Sequence, residues 1–221
     1  MKRNFLILSL SGCIVATVAC ASACQTSIDY FHYVSENRNN VLVAEGEDYH
    51  LKIYAVDKEY PYSTDGYTGE VTARTEVYFS TKGGGQTCEL SFTYDGKKLG
   101  GEMSYDNVDG EYSFSCAADL SAAREVRLTV RFENRETEII AVSVKGEHML
   151  SSRQILSALS DKSHDTFSAL TQSNEFQGEI YIRLIYESAP YYYVGVIGRD
   201  AKTTAFLMDA VTGEILATKQ N

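Results

Sequence analysis

From about residue 41 to residue 146 the chain alternates apolar and polar positions with a period of two. YHLKIYA sets Tyr49, Leu51, Ile53 and Ala55 against His50, Lys52 and Tyr54. VTARTEVYF puts Val71, Ala73, Val77 and Phe79 on one face. VRLTVRF does the same with Val126, Leu128, Val130 and Phe132, and IIAVSV closes the set. Strict alternation over five to eight residues predicts strands with one buried face. Asp65-Gly66, Asp95-Gly96, Gly100-Gly101 and Asp109-Gly110 punctuate these runs and supply the positive φ that tight hairpin turns need. Seven or so short strands separated by turn signals predict an antiparallel β-sandwich.

After Lys145-Gly146 the period changes. SSRQILSALSDKSHDTFSAL offers Ser151 or Ser152 as N-cap, with Ile155, Leu156, Leu159, Phe167 and Leu170 near helical spacing. The polar stretch from Ser160 to Asp165 predicts a break or kink. EIYIRLIYE, YYYVGVIGR, TTAFLMDA and EILATK follow as strands, so residues 147–221 read as a small α+β unit: a helix, then an antiparallel meander. Residues 24–40, polar with scattered aromatics, read as a tether before a sandwich domain at 41–146.

Two stretches carry family likenesses. NVDGEYSFSCAADLSAAREVRLTV resembles the back half of bacterial immunoglobulin-like modules, with their D-G-x-Y turn and strand. The likeness implies an Ig-like antiparallel β-sandwich within a mainly β chain. The chain departs from true immunoglobulin domains in having no Trp, and its Cys88 and Cys116 stand too close for the usual pairing between sheets. Residues 191–217 (YYYVGVIGRDAKTTAFLMDAVTGEILA) resemble PepSY-type exported modules, which end in a strand, a D-x-x-T-G-E/K turn and a final strand. That resemblance implies a non-catalytic extracytoplasmic unit, with regulation of peptidases as the associated role.

The amino terminus changes the picture most. Lys2 and Arg3 precede an apolar run from Phe5, and small residues crowd its end, the order of a secretory signal over residues 1–23. A retained membrane helix is the rival reading, but Ser, Gly, Thr and Cys dilute the run. LSGC, TVAC and ASAC each resemble a lipobox, whose cysteine is acylated. Run length favours Cys24, then Cys20, as the lipidation site; Ala21-Ser22-Ala23 equally suits ordinary signal peptidase. The expected place is therefore the extracytoplasmic face of a bacterial membrane, held by lipid, or the medium if the cysteine stays unmodified. In an exported chain, Cys88 and Cys116, each on the apolar face of its strand, suggest one disulfide, two separate buried thiols being the alternative.

Charge excludes one class of partner. Removing residues 1–23 takes two cations and no acid, so the net charge moves from -10 to -12. Polyanions need clustered Lys and Arg, so nucleic acid is not an expected partner.

Candidate chemistry is sparse. His32, His50, His148 and His164 stand apart, outside metal-ligand spacing, and neither G-x-S-x-G nor S-x-x-K occurs. Lys162-Ser163-His164-Asp165 are neighbours in sequence and do not converge on a helix. Gly83–Gly85 lacks the Lys-Ser/Thr of a phosphate loop and reads as a flexible hairpin. The acidic clusters at Glu45–Asp48 and Asp106–Glu111 read as solvated turns rather than calcium loops. No catalytic or metal-binding residue and no cofactor is assigned. Tyr60, Tyr62 and Tyr67 in KEYPYSTDGYTG are the candidate ligand contacts, for a glycan or an envelope protein. The expectation is a non-enzymatic exported protein with a binding or envelope-structural role, a peptidase regulator or a carbohydrate-binding module being the alternatives.

Overall fold

The computed structural model describes residues 28–132 and 135–221. The signal segment, with Cys20 and Cys24, lies outside the described residues. The chain is mainly β. After a short 3-10 turn at Tyr30–Tyr33 its strands are β1 (Val34–Glu45), β2 (Tyr49–Glu59), β3 (Val71–Thr81), β4 (Cys88–Tyr94), β5 (Lys97–Glu102), β6 (Ser104–Asp106), β7 (Glu111–Cys116), β8 (Glu125–Phe132) and β9 (Arg135–Ser143). Two helices follow, α1 (Ser152–Lys162) and α2 (His164–Ala169). Then come the two-residue strands β10 (Thr171–Gln172) and β11 (Glu175–Phe176), and a meander of β12 (Gly178–Tyr186), β13 (Pro190–Gly198), β14 (Thr203–Asp209) and β15 (Ile215–Gln220).

The first nine strands make a sandwich. One layer runs β1-β2-β3-β7-β6 and the other β5-β4-β8-β9, and the layers meet where β9 pairs β1 at Leu42↔Ser143 and Val43↔Val142. Of the predicted inward positions Leu51, Ile53, Ala55, Val77, Phe79, Leu90, Leu128 and Val130 are buried and Ile139 joins them, whereas Val71, at the outer end of β3, is exposed. The Asp95-Gly96 turn, with positive φ at both residues, joins β4 to β5 as a two-residue hairpin requires.

The C-terminal unit is not a separate body. β12 pairs with β1 in parallel, Val34↔Ile180 through Arg38↔Arg183, so β15-β14-β13-β12 extends the first sandwich layer. Ile180, Ile182 and Leu184 point to one face, where Ile155, Leu156, Leu159 and Phe167 of the helices cover them. Burial of each such side chain contributes about 1.5–3 kcal/mol. Ser151 caps α1 in a capping box with Gln154, and the helix breaks at Ser163, inside the predicted polar stretch.

Residues 30–40 are therefore no tether. The 3-10 turn and the first half of β1 belong to the fold: Tyr30 packs on Phe167 at 4.6 Å between ring centroids and Tyr33 on Phe176 at 5.1 Å. The polar sequence SENRNN misled because these residues serve both units. Asn40 holds the carbonyls of Leu120 and Ala123, Glu36 faces Arg183, and a bulge between Arg38 and Asn40 re-aims the strand.

Candidate functional site

The loop after β2, residues 60–70, folds back over the face of β12 and β13 that the helices leave open. Three attachments hold it there. Gly66 N–H donates to Glu179 Oε2 at 3.0 Å, Thr68 Oγ1 donates to the Tyr33 carbonyl at 3.0 Å, and Gly69 N–H donates to Glu59 Oε1 at 2.9 Å. Gly66 sits at φ +85°, and a Cβ there would meet Arg199 Cα and the Gly198 carbonyl at 2.8 Å, so this residue must be glycine.

Under the loop lies an ionic cluster. Arg183 donates from Nε to Glu36 Oε1 at 2.9 Å and from Nη2 to Glu36 Oε2 at 2.5 Å, a two-pronged pair. Burial alone would raise the Glu36 carboxyl, but the hydrogen bonds and charge of Arg183 outweigh it and hold the group below its ordinary value. Tyr62 reaches this cluster, its hydroxyl 3.5 Å from Arg183 Nη2, and burial with the Glu36 charge pushes that phenol well above the ordinary range. Glu179, fully buried, accepts from Ser35 Oγ as well as from Gly66; burial raises its carboxyl although both hydrogen bonds pull the other way.

The three predicted tyrosines thus separate. Tyr62 is structural, with Lys58 Nζ 5.2 Å from its ring centroid. Tyr60 and Tyr67 face solvent at 77% and 57% exposure, each under an arginine: Arg74 is 5.3 Å from the Tyr60 centroid and Arg199 is 4.9 Å from that of Tyr67. Sequence reading found the tyrosines and missed Glu36, Glu179 and Arg183. The signal available for the last two was their shared polar face with Tyr181 along EIYIRLIY.

At the opposite end of the sandwich a cleft of about 690 Å³ opens between the layers. Tyr49, Phe79, Phe132 and Ile139 form its apolar floor, and Lys82, Arg135, Glu47 and Asp48 its rim. Lys82 is tied to Asp48 at 2.9 Å. The tyrosine loop lies at the Glu59 end of β2 and this cleft at the Tyr49 end, so the ten-residue rise of the strand puts them roughly 33 Å apart. The volume is that of a small-ligand site, but the lining is mixed, with Thr81, Gln86 and Thr137 joining the four charged side chains around the apolar floor.

Cys88 and Cys116 are not paired. Cys88 starts β4 beside the β6–β7 end of the sandwich, its Sγ 3.7 Å from Met103 Sδ. Cys116 ends β7, four residues beyond Tyr112, whose hydroxyl accepts from Gly85 and Gln86 just ahead of Cys88. That offset is roughly 13 Å along the strand, past the ~7 Å Cα separation a disulfide spans. Burial pushes the Cys88 thiol up to about 11. The Tyr112 hydroxyl holds Gly85 and Gln86, and a Cβ on Gly84 would meet the Tyr105 ring at 2.7 Å; because β3 and β4 do not pair, the stretch is a link between the two layers rather than a hairpin.

Lys162 Nζ donates to the Gly213 carbonyl at 2.8 Å, and Ser163 separates α1 from α2. The acidic turns close on their own neighbours: Asp106 Oδ1 accepts from Val108 N–H at 2.7 Å, and in Glu45–Asp48 the Gly46 N–H donates to the Tyr49 carbonyl at 3.0 Å while Asp48 takes Lys82. No family model, curated protein or solved structure matches the chain.

Proposed function

We propose that this is an exported, lipid-anchored, non-enzymatic binding protein of the bacterial envelope, acylated at Cys24. The observation that carries the binding role is the preformed cleft between the sandwich layers, about 690 Å³ with three aromatic rings in its floor. Its floor needs no rearrangement to receive an apolar group, since Phe79 already packs on Tyr112 and Phe132 at 6.3 and 5.9 Å between centroids. A ligand that pairs one apolar group with several polar groups fits that mixed lining. The test is a thermal-shift screen of envelope lipids, peptides and amphipathic metabolites against the wild-type chain and against Thr137→Arg, which fills the mouth. A hit lost in the variant supports the role; no hit, or an identical profile, refutes it.

Regulation of a peptidase has one observation in its favour. The outer edge of β15 pairs with no strand among the described residues, and Leu216 to Gln220 are exposed along it. An extended segment of a partner can add to such an edge. The test needs the whole folded chain, because residues 147–221 alone would lose β1 and expose the Ile180–Arg183 edge of β12. Leu216→Pro, at the bulge of β15 where Leu216 has no partner on β14, puts a ring on the strand a partner would extend and should release a bound peptidase; unchanged binding refutes this reading.

A further inference from the structure

The first described residue is Ile28, four positions after Cys24, so an acylated Cys24 leaves at most ~14 Å of chain between the lipid and Ile28. The end of the molecule that receives this short lead is set by residues 28–33. Tyr30 and Tyr33 pack on Phe176, just before β12, and the Tyr33 carbonyl takes the Thr68 hydroxyl at 3.0 Å. The loop carrying Tyr60 and Tyr67 is therefore bonded directly to the segment that leads into the membrane. The β13–β14 turn is at the same end, since Gly66 lies against Gly198 and Arg199.

We propose that the 60–70 loop is a bilayer contact: Tyr60 and Tyr67 sit at the headgroup level and seat the domain, base down, against the membrane that holds its acyl chains. The idea rests on acylation at Cys24 as proposed above. Tyrosine suits that level because its ring is apolar and its hydroxyl takes water or phosphate. Arg74 and Arg199 over the two rings add guanidinium groups of the kind that snorkel to headgroups. Asp65 and Glu70 on the same loop balance those two cations, so the contact is governed by aromatic partitioning rather than by attraction to anionic lipid. In this seating the long axis of β2 carries the cleft roughly 33 Å outward from the base, clear of the headgroups.

The chain contains no Trp, so a single introduced one reports without background. Full-length acylated protein bearing Tyr60→Trp, Tyr67→Trp or, as the distal control, Val108→Trp is reconstituted in phosphatidylcholine vesicles with and without brominated acyl chains. Val108, 91% exposed, lies in the β6–β7 turn at the cleft end. Intact mass, measured on the same samples, reads the anchor independently. An acylated Cys24 with about twofold loss of emission at positions 60 and 67, little change at 108, and no effect of 0.5 M salt is expected for rings at the interface. Acylated protein whose positions 60 and 67 are no more quenched than 108 overturns the loop contact and leaves the anchor standing. A chain without acyl groups on Cys24 overturns the anchor, and the seating falls with it. Loss of quenching in salt overturns the aromatic mechanism in favour of charge.

Discussion

Arg183→Met tests the account of the joint between the two units. The substitution keeps most of the side-chain volume and removes the charge, leaving the Glu36 carboxylate with a side chain only 4% exposed and no two-pronged partner. Breaking a buried pair from one side costs about 3–5 kcal/mol, because the remaining charge is uncompensated. With a urea m-value of about 2–3 kcal/mol/M, the unfolding midpoint should fall by roughly 1–2.5 M at pH 7. The pH dependence gives a second readout. In the wild type the Glu36 carboxyl is held below its ordinary value, so its contribution is present above the unfolded value and is lost as pH falls through the folded one. In the variant the charges of Arg38 and Lys58 remain but the Arg183 hydrogen bonds and charge no longer offset burial, so the carboxyl rises relative to wild type and protonation on acidification relieves part of the penalty. The gap between variant and wild type should therefore narrow towards pH 4. Glu36→Leu combined with Arg183→Met should recover most of the loss, since a buried pair replaced whole is near neutral. Equilibrium urea unfolding by far-UV circular dichroism measures all three. A single variant within about 0.5 kcal/mol of wild type, or a double variant as weak as the sum of its parts, would refute the claim that this pair fastens the loop and the two units.

Three further outcomes follow from the packing. Gly195→Ala places a methyl 2.0 Å from the Tyr181 ring and should destabilise by about 1–3 kcal/mol, seen as a lowered Tm; an unchanged Tm would contradict the close approach. A chain starting at Gln25 should titrate two thiols on unfolding without reductant, while native protein hides Cys88; zero thiols would restore the disulfide. Glu179→Gln should flatten part of the pH profile with the opposite sign to Glu36. A carboxyl raised in the fold contributes stability at low pH that disappears as pH rises through its folded value, and the amide removes that titration. An identical profile in the variant would show that Glu179 does not titrate in this range.

Strand faces were legible because alternation is a local signal: Leu128 and Val130 are buried and Arg127 and Arg131 exposed as the period requires. The helix was legible for the same reason, and its cap is Ser151, one of the two serines the sequence offers. The first half of β1 was not. Ser35, Glu36, Asn37 and Asn40 are buried polar residues whose partners lie up to 147 positions away, and no window around residue 36 contains Arg183. The candidate site divides along the same line. Exposed Tyr60 and Tyr67 follow from a polar, turn-rich loop, whereas the inward placement of Tyr62 depends on β12. The cleft, assembled from the ends of β2, β3, β8 and β9, leaves no mark on any one segment.

Because β1 is completed by a strand that begins more than 130 residues later, the order of synthesis matters to this protein. The Val34–Arg38 edge emerges first and stays open until Ile180 to Arg183 have been made, a long-range closure of the kind that slows folding. Until then the nascent chain presents an unpaired strand whose Val34 and Val41, buried in the finished fold, lack their C-terminal cover, the sort of template on which neighbouring chains pair wrongly. The early sandwich is therefore the aggregation-prone stage of biogenesis, and a chain stopped anywhere before residue 180 carries that open edge permanently.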